Sequence, residues 1–279
     1  MQEADWGAHL LKKCTGENAT EYHRNTFIFL QELARSVKFR KKDGQILVTG
    51  ERGIGKTSSA LAGSFMLTQP ELGSISFDLK KNTCYSAEYI GDIVENAGMG
   101  SECDFVIDES LDIMDSRDSL SRVNKAISKF MNSARKMRHI FWWCIADTSD
   151  IDNRIKNRII KYWIHVYHQS EHNERDKRYV RAALFRKDLN PFNPDKWGLQ
   201  DVSRQKKAIT NHDELYRLFK RVKSYCGDLA FPILPQSVED EYELLSKQAV
   251  AQRGADFNKN FGRKTAPEAT PPVQNSPKE

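Results

Sequence analysis

The stretch LVTGERGIGKTSSALAGSFML, residues 47–67, places glycines, a lysine and a threonine between a short apolar strand and an apolar-faced helix. Few sequence features restrict a fold as tightly. Gly50, Gly53 and Gly55 permit the backbone φ values that turn successive N–H groups into one concavity, and a helix beginning near Lys56 adds the positive end of its dipole. Such a concavity selects an anion. The spacing G-x-x-x-x-G-K-T predicts a phosphate-binding loop formed by Gly50, Glu51, Arg52, Gly53, Ile54, Gly55, Lys56, Thr57 and Ser58. Lys56 would reach the β and γ phosphates, and the Thr57 hydroxyl would ligate Mg2+. The strand QILVTG before the loop and the helix TSSALAGSFML after it supply the context that this motif requires. The cofactors expected are therefore ATP and Mg2+.

A second motif, DFVIDES (104–110), is an apolar run that delivers Asp108 and Glu109 to the C-terminal end of a strand, where α/β sheets place ligands. Asp108 would hold Mg2+ through water, and Glu109 would be the base that polarises an attacking water. On its own a D-E pair after an apolar run is only a strand entering a charged turn; downstream of a phosphate loop it carries more. A third strand, HIFWWCIADTSDID (139–152), ends in Asp147, Thr148 and Ser149. Thr148 is the first candidate to sense the γ-phosphate and Asp147 the second, while the same DTSD also reads as an N-cap for a helix near Ile151. Arg135 before this strand, and Arg154 and Arg158 after it, are candidate arginine fingers, though each alone also reads as a surface charge. Trp142 and Trp143 alternate in the strand and read as core or interface packing.

The chain of 279 residues, 29% of them charged and 39% hydrophobic, is long enough for one sizeable core and a small appendage. A net charge of +5 permits a polyanionic partner without demanding one, because 43 basic and 38 acidic residues are largely interspersed. KFRKK (38–42) and RLFKRVK (217–223) are candidate phosphate contacts, or else ordinary solvated faces. The five cysteines include no C-x-x-C pair, which points away from a disulfide framework or a zinc site and towards a reducing cytoplasm. No signal peptide is evident and the longest strongly apolar run, IFWWCIA, is too short to span a bilayer, so no transmembrane segment is expected.

The pattern along the chain predicts an N-terminal helical lead (1–44), an α/β core (45–195), a mostly helical C-terminal segment (196–252) and a disordered tail (253–279). Within the core, YWIHVYH (162–168) and RYVRAALFR (178–186) read as antiparallel strands. Helical stretches are expected near 20–38, 211–226 and 236–252. The amphipathic stretch ELYRLFKRVKSY could pack on the core, bind a neighbour or meet a capsid or membrane-protein partner.

In this order, GERGIGKT, FVIDES, the basic SRVNKAISKFMNSARK and IFWWCIADTSDIDNRIKNRI resemble the FtsK–HerA class of P-loop ATPases, which includes viral DNA-packaging ATPases and the Zot-like proteins of filamentous phages. The resemblance covers roughly residues 45–195. It implies a P-loop NTPase core, a mainly parallel central sheet extended by a β-hairpin with helices on both faces, and hydrolysis of ATP coupled to movement of double-stranded DNA by a homo-oligomeric ring of five or six subunits. Two departures stand out: the class usually carries a glutamine where this chain has DTSD, and Zot-like proteins commonly carry a membrane segment. The chain also resembles AAA+ ATPases of the helicase-loader kind in ADTSDIDNRIKNRI, although a helical lid rather than a hairpin would then follow. A nucleotide-gated switch or scaffold without turnover is a third reading, against which Glu109 counts.

Overall fold

GQILVT, DFVI and IFWWC form β1 (Gly44–Thr49), β3 (Asp104–Ile107) and β4 (Ile140–Cys144), and every residue of the three is buried. Strands so apolar on both faces belong inside a parallel sheet covered on each side. The computed structural model describes residues 3–85, 102–108, 135–147, 155–170, 174–199 and 209–261. It adds β2 (Thr83–Cys84), β5 (Tyr162–Gln169), β6 (Tyr179–Arg186) and β7 (Tyr225–Pro232) to give, among the described residues, a seven-stranded sheet in the order β2-β3-β4-β1-β5-β6-β7. The five strands from β2 to β5 in that order are parallel, and β6 runs antiparallel to both of its neighbours. The expected antiparallel pairing of 162–168 with 178–186 is thus β5 with β6. β4 fills the position between β1 and β3, with Trp142 opposite both Ile46 and Val106.

Alternate residues of these strands enter two cores. On one face Ile46, Val48, Val106, Trp142 and Phe231 pack under α1 (Glu3–Thr15), α2 (Glu21–Lys38) and α3 (Lys56–Leu67). On the other, Leu47, Phe105, Phe141, Trp143 and Phe185 meet Phe219 of α5 (His212–Arg221), and Ile155 and Ile159 of a π-helical turn. A short turn of helix, α4 (Leu79–Asn82), precedes β2, and α6 (Gln236–Phe261) follows β7. The two tryptophans of β4 are both core residues, one per face. An indole N–H buried without an acceptor costs about 1–3 kcal/mol. Trp142 Nε1 donates to both carboxyl oxygens of Asp104, at 2.9 and 3.1 Å, and Trp143 Nε1 donates to Gln45 Oε1 at 2.9 Å. Gly63 lets α3 approach, since a Cβ there would lie 2.8 Å from the Trp142 ring.

The N-terminal helices are not a separate lead but part of this core. The Thr26 hydroxyl of α2 donates to the carbonyl of Ala230 and accepts from its N–H, while Asn25 donates to the Asp228 carbonyl, so α2 covers the edge of β7. Sequence 196–252, expected to be mostly helical, contains that edge strand. Its first residues, Tyr225–Gly227, are only partly buried or exposed, and with the positive φ of Gly227 they hide the strand pattern. α1 lies within the helical lead expected over 1–44, ahead of the stretch near 20–38, and α6 continues to Phe261, past the expected onset of disorder at 253. Ile151, where a helix is expected to begin, lies outside the described residues, which resume with the π-helical turn Ile155–Ile159. Residues 262–279 lie outside the described residues. Among those described, no helix is long and apolar enough to cross a membrane.

Burial pushes the Asp104 carboxyl up to about 8, against the opposing hydrogen bonds from Ser64, Trp142 and the Phe105 backbone. The folded chain therefore keeps a proton that the unfolded chain releases near its ordinary value of 3.8. The stabilisation is complete below that value and is lost as pH rises towards 8. In urea unfolding, Asp104→Asn should gain on the wild type by up to about 1.4 kcal/mol per pH unit across that window. A difference that stays constant with pH would mean that the folded protein holds Asp104 ionised.

Candidate functional site

β1 ends at Thr49 and the chain turns through residues 50–55 into α3. Gly50 has φ 147°, and a Cβ there would stand 2.4 Å from the Val166 carbonyl oxygen. Gly55 is the N-cap of α3 in the left-handed region (φ 99°, ψ 26°), with a side chain of Val180 2.9 Å from where its Cβ would be. No side chain caps α3, whereas Thr20 caps α2 and Asn211 caps α5. The first N–H groups of a helix have no partner within it, so this end of α3 offers donors and a positive dipole to the space above.

That space is a cavity of about 610 Å3, bounded by the glycine loop, Thr57, Asp108, the end of β4 and Tyr242 of α6. The Thr57 hydroxyl donates to Asp108 Oδ1 at 2.8 Å, joining the first turn of α3 to the tip of β3. Asp108 is held in turn by its own N–H, which donates to the Cys84 carbonyl at 2.8 Å. Lys56 Nζ donates to the carbonyls of Gly50 at 2.9 Å and Glu51 at 2.8 Å, folding its ammonium across the loop. Burial pushes the Cys144 thiol at the end of β4 upward, with Asp108 adding to the shift, so this thiol stays protonated. Below the loop, His165 Nδ1 lies 2.9 Å from the Thr49 hydroxyl, and burial lowers its pKa to about 4, leaving a neutral imidazole.

The other oxygen of Asp108, Oδ2, accepts a hydrogen bond from the Tyr242 hydroxyl. Burial and the Asp108 charge both push that phenol upward, which keeps it a donor. Sequence reasoning missed Tyr242. The sequence around it reads as helical but carries no sign of which surface the helix covers.

Of the residues singled out from sequence, Arg52, Gly53, Gly55, Lys56, Thr57, Ser58 and Asp108 border one cavity. Gly50 and Glu51 contribute carbonyls to the Lys56 ammonium, and Ile54 lies on the other side of the loop against a second cavity with His168, Arg178 and His212. Asp147 is exposed just beyond Ala146, which borders the cavity. Glu109, Thr148 and Arg154 lie outside the described residues. Arg135 begins the turn Arg135–Met137 ahead of β4, and Arg158 is an exposed residue of the turn ahead of β5. Both therefore stand at the strands' N-terminal end, opposite the glycine loop. They are not brought to this chain's own cavity.

These residues fit a metal–nucleotide polyphosphate. Uncapped helix donors and a lysine face a space large enough for phosphates, beside a hydroxyl and a carboxylate of the kind that bind Mg2+. No family model matches the chain, and no curated protein matches it. Among solved structures, the chain is similar to the N-terminal domain of zonular occludens toxin from Neisseria meningitidis, at 13% identity and a TM-score of 0.40. That similarity covers 71% of this chain and 98% of that one.

The glycine geometry yields a graded prediction. Gly50→Ala combines a positive φ with a backbone collision and should cost about 2 kcal/mol or more. Gly53→Ala, which meets nothing within 4 Å, should cost only the strain of its φ, about 1 kcal/mol. Equal losses in chemical denaturation would contradict the close approach of Val166.

Proposed function

We propose that the chain is a P-loop ATPase that hydrolyses ATP to move double-stranded DNA, working as a homo-oligomeric ring. The observation that carries the nucleotide reading is the Thr57–Asp108 contact of 2.8 Å beside the uncapped start of α3. Two oxygen donors, one from the first turn of α3 and one from the tip of β3, meet there, next to a helix end suited to an anion. Backbone N–H groups of residues 50–58 would bind the phosphates. Lys56, now on neutral carbonyls, would turn to the β and γ phosphates, and Thr57 and Asp108 would hold Mg2+. When bound, the cation neutralises phosphate charge and helps to orient the γ-phosphoryl group. Glu109, adjacent to Asp108, would take the proton of the attacking water. Thr148, or else Asp147, would respond to the γ-phosphate.

The ring reading draws support from where the arginines stand. Arg135 and Arg158, at the far end of the sheet, are unsuited to the cavity of their own chain and would act as fingers only on a neighbour; Arg154 is the third candidate. Arg40, Lys41 and Lys42, with Arg217, Lys220, Arg221 and Lys223, are exposed and would contact DNA phosphates without reading sequence. The antiparallel β5–β6 pair, in place of a helical lid, favours this reading over a helicase loader.

Lys56→Ala should abolish ATP hydrolysis and weaken nucleotide binding, as followed by phosphate release and a fluorescent ATP analogue. Glu109→Gln should keep binding but lose turnover by about 10²-fold or more. Wild-type turnover in the first variant would remove the P-loop assignment, and wild-type turnover in the second would remove the base. Binding to duplex DNA should tolerate sequence and weaken with salt at a log–log slope of about 0.9 per phosphate contacted. Absence of binding at low salt would favour a nucleotide-gated switch.

A further inference from the structure

Among the described side chains of α6, full burial is confined to the first turn, while Tyr242 and Leu245 pack half-buried against the core. Val238 is fully buried, Glu239 pairs with Arg175, and Arg175 also donates to the Leu234 carbonyl, so the first turn is anchored. Beyond Val238, none of the described side chains of α6 is buried, and Leu244 and Val250 are more than half exposed. The arm is nevertheless laid across the candidate site. Glu241 pairs with Lys80 at 3.0 Å, the Tyr242 ring lies 5.8 Å from that of Tyr85, and the Tyr242 hydroxyl donates to Asp108 Oδ2.

This contact falls on a chemically occupied point. Oδ1 of Asp108 already accepts from Thr57, so with Tyr242 in place both carboxylate oxygens are engaged by neutral hydroxyl donors. The metal-bound water through which Asp108 would hold a divalent cation and the phenolic hydrogen compete for the same carboxylate oxygens. A hydrogen bond to a charged group is strong enough to matter in that competition, and an arm whose described side chains beyond Val238 are at most half-buried, Tyr242 and Leu245 among them, is held less tightly than the fully buried helices.

We infer that Tyr242 is a positioning residue and placeholder for the metal: it holds Asp108 in the absence of metal–nucleotide, and release of its hydroxyl frees the α6 arm when metal–nucleotide binds. This inference rests on the nucleotide-site reading and adds to it a coupling between site occupancy and the C-terminal helix. The exposed arm would then report the nucleotide state to whatever surface it meets.

Two measurements on the full chain test it: binding of a fluorescent, non-hydrolysable ATP analogue with Mg2+ or with EDTA, and amide hydrogen exchange across 236–251. Tyr242→Phe should bind the analogue about tenfold more tightly with Mg2+ and equally well in EDTA, because only the competing hydroxyl is removed. In the wild type, analogue with Mg2+ should lower the protection of α6 beyond Val238, while analogue in EDTA should not. A tyrosine that only packs would leave the Mg2+ dependence unchanged on losing its hydroxyl. Normal analogue binding with unchanged Mg2+ dependence in Tyr242→Phe and unchanged exchange in α6 would overturn the inference and leave the nucleotide site standing. No analogue binding by the wild type under either condition would overturn the nucleotide site and the inference with it.

Discussion

Burial of two adjacent tryptophans in β4 is the constraint on which the rest of the fold depends. In a strand, neighbours face opposite sides, so Trp142 and Trp143 fill one core each, and an N–H left without an acceptor at this depth would cost about 1–3 kcal/mol. Trp142 finds Asp104 on β3 and Trp143 finds Gln45 on β1. The two bonds tie β4 to both of its neighbours. A slip by one residue would exchange the faces and strand both indoles, so register across the middle of the sheet is set by these polar pairs as much as by apolar packing.

Register matters because the site is assembled at the ends of those strands. Thr57 meets Asp108 only if β1 and β3 end at the same level with β4 between them, and the end of β4 then borders the cavity that they share. The glycines answer to the same geometry from the other side. Gly50 passes close to β5 at Val166, and Gly55 passes close to β6 at Val180. The loop is thus shaped partly by the hairpin strands, which lie outside the motif that announces it.

Distant parts of the chain close the structure. α2 shields the edge of β7 through Thr26 and Asn25, and α6 returns from β7 to the tip of β3. The N-terminal helices and the C-terminal strand form one body with the sheet, which their position at the ends of the chain does not suggest. A helix that approaches a polar site with its described side chains beyond Val238 at most half-buried is less firmly held than α2, which with seven buried residues is suited to hold an edge.

The sequence by itself determined what local chemistry can write. Three glycines able to take positive φ, a lysine and a threonine between strand and helix announce an anion site, DFVID announces a carboxylate at a strand end, and two alternating runs announce the β5–β6 pair. These signals are contained in a few neighbouring residues. The tertiary structure alone decided that β4 separates β1 from β3, that 225–232 is the edge strand, that α1 and α2 belong to the core, and that Tyr242 rests on Asp108. Each of these depends on partners more than 30 residues apart in the chain, such as Trp142 with Asp104 or Tyr242 with Asp108. Such choices follow from which buried groups find partners and which edges need cover when the whole chain is packed, and no local pattern of residue types records that.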